Sequence, residues 1–71
     1  MTILEAAVEV LKESGQSMPI RKIFDAITRK NLYQFGAKSP RSVLSGTLRN
    51  EVKRSQAPKV VEVSGGVYRA T

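Results

Sequence analysis

The 71-residue chain contains no cysteine and no histidine. Disulfide frameworks, zinc sites built from Cys and His, and thiol or Ser-His nucleophiles are therefore excluded. No apolar run approaches the roughly 20 residues that a membrane-spanning helix needs. The first ten residues, MTILEAAVEV, are acidic where a secretory signal would be basic. We expect a single domain over residues 1–71 that is not an enzyme, binds no metal or cofactor, and has no membrane partner.

Negative charge is scarce, and positive charge is unevenly placed. Twelve Lys and Arg stand against six Asp and Glu, which gives a net charge of +6 and a pI near 10.2. The first 15 residues hold Glu5, Glu9 and Glu13 against Lys12, a local charge of −2, which leaves +8 for residues 16–71. This asymmetry indicates a polyanion facing one side of the fold. A generic solubility charge is the alternative interpretation.

The first helix has clear start and stop signals. Residues 2–5, TILE, fit a capping box, and Gly15 supplies the left-handed residue that ends a helix. Its apolar residues recur at spacings of three and four, while the three glutamates lie on the opposite side. We interpret these glutamates as a solvated stripe rather than as a metal or acid site.

Helix 2 is predicted from residue 20 or 21 to about residue 30, after a connector too short for more than one or two sheet residues. Asn31 tolerates left-handed backbone and can end this helix. The aromatic and apolar residues that follow, Leu32, Tyr33 and Phe35, predict a flap over the small core. Stacking of Tyr33 on a nucleotide base is the alternative.

Helix 3 is predicted over about Pro40–Arg54, with Ser39 as its N-cap and Pro40 as its first residue. Leu44, Leu48 and Val52 form its apolar stripe. No acid occurs in this helix before Glu51. The face opposite the stripe carries small polar and basic residues: Ser42, Gly46, Arg49, Asn50 and Lys53, with Val43 and Ser45 at its margins. Such a surface fits a nucleic-acid groove, whereas a plainly solvated helix is the alternative.

The β-branched runs KVVEV and VYRA flank Ser-Gly-Gly, which predicts a hairpin after the proline of SQAP. Alternation places Val61 and Val63 on one face, and Tyr68 with Ala70 on a matching face of the second strand. We expect Tyr68 to close the core. The predicted fold class is therefore α+β, a winged helix-turn-helix with three helices followed by a two-stranded β-hairpin wing.

The order of five short motifs resembles the HARE-type helix-turn-helix domain, a winged-helix family of restriction endonucleases, bacterial RNA polymerase delta subunits and chromatin regulators. The motifs are AA-x-x-VL in helix 1, Pro-Ile at residues 19–20 with the small residue Ser17 shortly before it, and G-x-K-[ST]-P at residues 36–40. The Leu48 and Val52 stripe and G-V-[YF] at residues 66–68 complete the set. The resemblance covers nearly the whole chain. The sequence departs from the family at Asn31, where Gly is usual, and at Val60, where an aromatic is common.

The resemblance implies a nucleic-acid-binding or regulatory module, such as the targeting domain of a restriction, transcription or chromatin protein. We expect double-stranded DNA as its partner, with helix 3 in the major groove and phosphate contacts from helix 2 and the wing. Arg69 would reach an adjacent minor groove, although the wing tip carries no Lys or Arg. The predicted DNA-binding residues are Arg21, Lys22, Lys38, Ser39, Arg41, Ser42, Ser45, Arg49, Asn50, Lys53, Ser64 and Arg69.

Two other classes of function are alternatives to DNA binding. The delta-subunit relatives imply a protein-interaction module that docks on RNA polymerase or on another protein, for which Tyr33, Phe35 and Val43 would supply apolar contacts. A nuclease is disfavoured, because the acids of residues 16–71 lie on three separate elements. A catalytic domain would then be a separate or fused partner. We expect a bacterial cytoplasmic protein associated with the nucleoid, or a nuclear protein in a eukaryote.

Overall fold

The computed structural model describes residues 2–36 and 38–71. It contains helices α1 (Ile3–Ser14), α2 (Ile20–Arg29) and α3 (Pro40–Arg54), and strands β1 (Met18–Pro19), β2 (Val60–Ser64) and β3 (Val67–Ala70). This α+β arrangement is that of a winged helix-turn-helix, which confirms the predicted fold class. Ala37, inside the G-x-K-[ST]-P motif, lies outside the described residues.

Local signals at both ends of α1 act as predicted. The backbone N–H of Thr2 donates to the Glu5 carboxylate at 2.8 Å, and the Glu5 N–H donates to the Thr2 hydroxyl at 3.1 Å. These two bonds form the predicted capping box. Gly15 has φ 69° and donates its N–H to the carbonyl of Leu11, so it closes the helix in the left-handed region. The hydrogen bond from the Thr2 backbone holds the pKa of Glu5 below its ordinary value.

The segment after α2 folds back onto the core. Asn31 adopts φ 55°, the left-handed conformation expected of it, and the Leu32 N–H donates to the carbonyl of Ile27. Leu32, Tyr33 and Phe35 are half-buried against the core. The rings of Tyr33 and Phe35 meet edge to face with centroids 5.1 Å apart. The predicted flap is therefore confirmed.

The start of α3 differs from the expectation in one respect. Ser39 is the N-cap residue and Pro40 the first helical residue, but the Ser39 side chain makes no capping hydrogen bond. Its backbone, at φ −122° and ψ 73°, departs from the extended geometry of Thr2 at the start of α1, where φ is −81° and ψ is 167°. A side chain held in that orientation does not reach the free amides of the first turn. The Ser39 hydroxyl is thus left exposed to solvent.

The hairpin belongs to a three-stranded antiparallel sheet with the order β1-β3-β2. The short strand β1 pairs Met18 with Tyr68 and Pro19 with Val67, and the Ile20 N–H donates to the carbonyl of Gly66. The connector before α2 therefore adds a third strand to the predicted two-stranded wing. This pairing ties the start of α2 to the hairpin.

The predicted facing of β2 is wrong by one residue. Val60 is fully buried and pairs with Ala70, while Glu62 pairs with Tyr68. Val63, expected on the core side, is 53% exposed. A shift of one residue exchanges the two faces of a strand, and an irregularity between Glu62 and Ser64 adds to it. The apolar side chain that reaches the core is the one that begins the strand.

All three helices and both strands of the hairpin contribute to one core. α1 packs against α2, α3 and β3, while α3 also packs against α2 and β2. Tyr68 is 1% exposed and closes the core as predicted. None of the helices in the described residues is both long and apolar enough to span a membrane. The buried side chains are those of Ala6, Ala7, Val10, Leu11, Ile23, Ile27, Leu44, Leu48, Val60 and Tyr68.

Candidate nucleic-acid interface

The outward face of α3 is open to solvent. Leu44 and Leu48 are completely buried, so the opposite side of the helix faces away from the core. Fifteen residues give α3 a length of about 22 Å, with Arg49 and Lys53 one turn, or about 6 Å, apart. Of the predicted residues on this face, Ser42, Arg49, Asn50 and Lys53 are exposed and Ser45 is half-buried. We refer to these five residues and Gly46 as the reader face.

Gly46 leaves a gap in the reader face that packing does not explain. A Cβ atom built at this position would meet no described heavy atom within 4 Å. Gly46 is helical and does not have positive φ. A glycine in a helix interior costs about 1 kcal/mol relative to alanine. Packing within the protein therefore does not require a glycine at position 46. Its lack of a side chain would instead let a binding partner approach α3 closely.

Cations from α2, from α3 and from the segment just before α3 meet beside the reader face. We call Arg21, Lys22, Lys38 and Arg41 the basic corner. Arg21, Lys22 and Arg41 line one cavity together with Phe24 and Asp25. Lys38 and Arg41 line a neighbouring cavity that also includes Phe24 and Ser42. All four cations are exposed. The packing of α2 against α3 thus joins cations that are separated by up to 20 positions in the sequence.

Asp25 lines the same cavity as Arg21, Lys22 and Arg41, but its carboxylate already has a partner. Its Oδ2 atom lies 3.0 Å from Nη2 of Arg29, one turn along α2. Both side chains are exposed, so this pair contributes little to stability. Within residues 2–36 and 38–71, no cation of the basic corner forms a salt bridge. The corner therefore presents its positive charge to solvent.

The acids of α1 lie on a different surface. Glu5, Glu9 and Glu13 line a cavity together with Lys12 and Lys59. Glu13 also forms an ion pair with Lys30 at the end of α2. None of these three glutamates lines either cavity of the basic corner, as the sequence pattern predicts. A polyanion can thus approach the basic corner without facing the acidic stripe.

The wing carries fewer of the predicted DNA-binding residues than the helices and the segment before α3 do. Ser64 is exposed at the end of β2, and the turn after it consists of Gly65 and Gly66, which has φ 75°. The Gly66 N–H donates to the Glu62 carboxylate at 3.2 Å. Arg69 is exposed but lines a cavity with the end of α1 and residues 15–17. The structure therefore does not bring Arg69 together with the basic corner.

The acids outside α1 make structural contacts. The Glu51 carboxylate accepts the Lys59 N–H at 3.0 Å and so holds the loop before β2 against α3. Glu62 closes the hairpin turn, and Asp25 pairs with Arg29. Among the described residues, no three acidic side chains are close enough to form a metal site. Glu51 and Glu62 thus hold local structure, whereas Asp25 has only an exposed partner on its own helix.

Phe24 is the residue of the site that sequence reasoning missed. It lines both cavities of the basic corner and a third one beside the flap. Its position three residues after Arg21 places both side chains on one helix face, which is a signal present in the sequence. The contact with α3 depends on tertiary packing and has no such signal.

These elements define the class of the protein as a winged helix-turn-helix domain with an exposed third helix. The HARE-HTH family model matches residues 1–70, and the chain belongs to this family of helix-turn-helix domains, whose description covers ASXL and restriction endonuclease. The domain that defines this family binds DNA and is not catalytic. No curated protein and no solved structure shows significant similarity to the chain.

Proposed function

We propose that this chain binds double-stranded DNA with α3 in the major groove and the basic corner on the phosphate backbone. The observation that carries the proposal is the junction of the basic corner with the reader face, on a surface separate from the α1 glutamates. The major groove is about 12 Å wide and admits one α-helix. The gap at Gly46 lets α3 approach the groove closely.

The reader face carries groups suited to both parts of DNA. Arg49 can donate two hydrogen bonds to guanine O6 and N7, and Asn50 can pair with adenine N6 and N7. Either side chain can instead contact a phosphate. The hydroxyl groups of Ser39, Ser42 and Ser45 are hydrogen-bond donors on short side chains. They can reach DNA only if its sugar-phosphate backbone lies close to α3. Lys53 supplies a further cation at the end of the face.

Positioning of the domain depends on the cations around the reader. Lys38 and Arg41 flank the start of α3, where free amides and the helix dipole favour an anion. Arg21 and Lys22 lie on the helix that crosses the backbone in helix-turn-helix docking. Ser64 and Arg69 would add contacts from the wing. About five neutralised phosphates predict a slope of roughly −4.5 for log K against log salt concentration.

The affinity of one copy is expected to be modest. The longest dimension of the domain is 28 Å, which corresponds to about eight base pairs at 3.4 Å per step. A contact of this size without a partner domain or second copy gives roughly micromolar binding and limited sequence preference. Greater sequence selectivity would come from a fused or associated protein. This domain would then target a restriction, transcription or chromatin protein to DNA.

Fluorescence anisotropy with a duplex of about 12 bp over a salt series tests the proposal. Arg49→Ala and Lys53→Ala are expected to weaken binding and to make the salt slope shallower by up to about 0.9 each. Lys12→Ala is the matched control, because it removes the same charge from α1. Absence of salt-dependent binding at tens of micromolar would refute the proposal.

A protein-interaction module is the second candidate function. Val43 is 39% exposed beside the reader face, and Tyr33 and Phe35 are half-buried in the neighbouring flap. Docking on RNA polymerase or on another protein would use this apolar surface. Val43→Ser would weaken such docking, whereas DNA binding through charges would retain its salt slope.

The compartment proposed for the DNA-binding function is a bacterial cytoplasm, at the nucleoid, or a nucleus.

A further inference from the structure

Phe24 and Arg41 form a contact between α2 and α3 at the centre of the basic corner. The guanidinium carbon of Arg41 lies 5.9 Å from the centroid of the Phe24 ring. This distance is within the range of cation–π attraction, which is well suited to the planar guanidinium group. Arg41 has no carboxylate partner among the described residues. The ring face of Phe24 is therefore in position to restrain this side chain.

The ring of Phe24 is itself held in place by other rings. Its centroid lies 5.1 Å from that of Phe35, with an angle of 44° between the planes. Phe35 in turn meets Tyr33 edge to face at 5.1 Å. Phe24 is half-buried and packs against the core. A row of three rings thus anchors the platform under Arg41 to the flap after α2.

We propose that Phe24 is a positioning residue that pre-organises Arg41 for a DNA phosphate at the start of α3. A guanidinium that rests on a ring keeps its N–H groups free for a phosphate. An arginine that is already restrained loses less side-chain entropy on binding than a free one. The other three cations of the corner have no aromatic contact of this kind among the described residues. Arg41 is thus the one cation of the corner with a built support.

This inference rests on the DNA-binding function proposed above. Removal of the Phe24 ring is expected to change DNA binding in a different way from the loss of a phosphate contact. Phe24→Leu keeps an apolar side chain but removes the ring, so Arg41 remains charged and becomes mobile. The dissociation constant for duplex DNA is expected to rise about threefold, with an unchanged salt slope. Arg41→Ala is expected to make the slope shallower by about 0.9, because one phosphate contact is lost.

A double-mutant cycle separates positioning from general stability. In an Arg41→Ala background, Phe24→Leu is expected to have no further effect on binding, because the residue that it positions is absent. Phe24→Tyr retains the ring face and is expected to bind as the wild type does. Equal losses from Phe24→Leu in both backgrounds would overturn the inference. Failure of the wild-type protein to bind duplex DNA would instead overturn the proposed function.

A measurement on the unmodified protein remains decisive if Phe24→Leu does not fold. NMR relaxation of the arginine Nε–H groups compares the mobility of Arg41 with that of Arg49, which has no ring contact among the described residues. Arg41 is expected to be more ordered in the absence of DNA, and its side-chain protons are expected to show ring-current shifts. Equal mobility of the two side chains would contradict pre-organisation by Phe24.

Discussion

The acidic stripe of α1 and the basic corner use charge for different purposes. Glu5 accepts the Thr2 N–H at the start of α1, and Glu13 pairs with Lys30 at the surface, so two of the three α1 glutamates have partners within the fold. The cations of the basic corner have no carboxylate partner among the described residues. Charges that are paired within the fold are partly neutralised, whereas exposed and unpaired positive charges are available to an external anion. The comparison predicts that the same change of charge alters DNA affinity more on the basic corner than on the acidic stripe.

The largest difference is expected from charge reversal. Arg21→Glu combined with Lys22→Glu places two carboxylates against DNA phosphates and is expected to weaken duplex binding by about 100-fold. Lys12→Glu combined with Lys59→Glu makes the same change of net charge beside the α1 glutamates. That control is expected to lose only a few-fold in affinity. Anisotropy titrations at one salt concentration compare the two double variants, and similar losses would show that net charge alone governs binding.

Gly46→Ala separates binding from stability at the reader face. A Cβ atom fits the folded protein without a clash, and alanine is favoured over glycine in a helix by about 1 kcal/mol. The melting temperature is therefore expected to rise by about 4–8 °C. The added methyl group stands between α3 and the groove, so duplex affinity is expected to fall about tenfold. Unchanged affinity in this more stable variant would rule out close approach of α3 at Gly46.

Asp25→Asn is expected to strengthen DNA binding. The substitution removes the carboxylate that lies among the corner cations and releases Arg29 from its ion pair. Both changes raise the local positive potential, so the dissociation constant should fall about threefold. Glu9→Gln alters net charge equally on α1 and is the matched control. An equal gain from both variants would remove the distinction between the two surfaces.

The smallest effect concerns the pH dependence of folding. Because its pKa is lowered in the folded state, Glu5 stabilises the protein at pH values above its unfolded pKa. This contribution is lost as the pH falls through the lowered pKa. The difference in melting temperature between the wild type and Glu5→Gln should therefore shrink in acid. An NMR titration that gives Glu5 an ordinary or raised pKa would contradict the capping contact, and DNA binding at neutral pH should not change.

Local chemistry determined most of what the sequence predicted about the helices. The capping box at Thr2, the left-handed residues Gly15 and Asn31, and the Pro40 start of α3 depend on neighbouring residues alone. The facing of β2 was not predictable in the same way, because valines occupy both of its faces. Its register depends on how β3 presents Tyr68 to the core.

The candidate site was predictable residue by residue but not as an assembly. Helical periodicity predicted that Arg49 and Lys53 are exposed opposite the core. The meeting of Arg21 with Arg41 depends on the packing of α2 against α3, which no local pattern specifies. The same tertiary contact places Phe24 beneath Arg41. The roles of these side chains in DNA binding stay predictions.

Titration of the labelled protein with a short duplex, followed by amide chemical shifts, tests the central claim most directly. The account predicts the largest shifts between Lys38 and Lys53 and at Arg21 and Lys22, with little change at Glu5, Glu9 and Glu13. Shifts concentrated on α1, or spread evenly over the molecule, would contradict it.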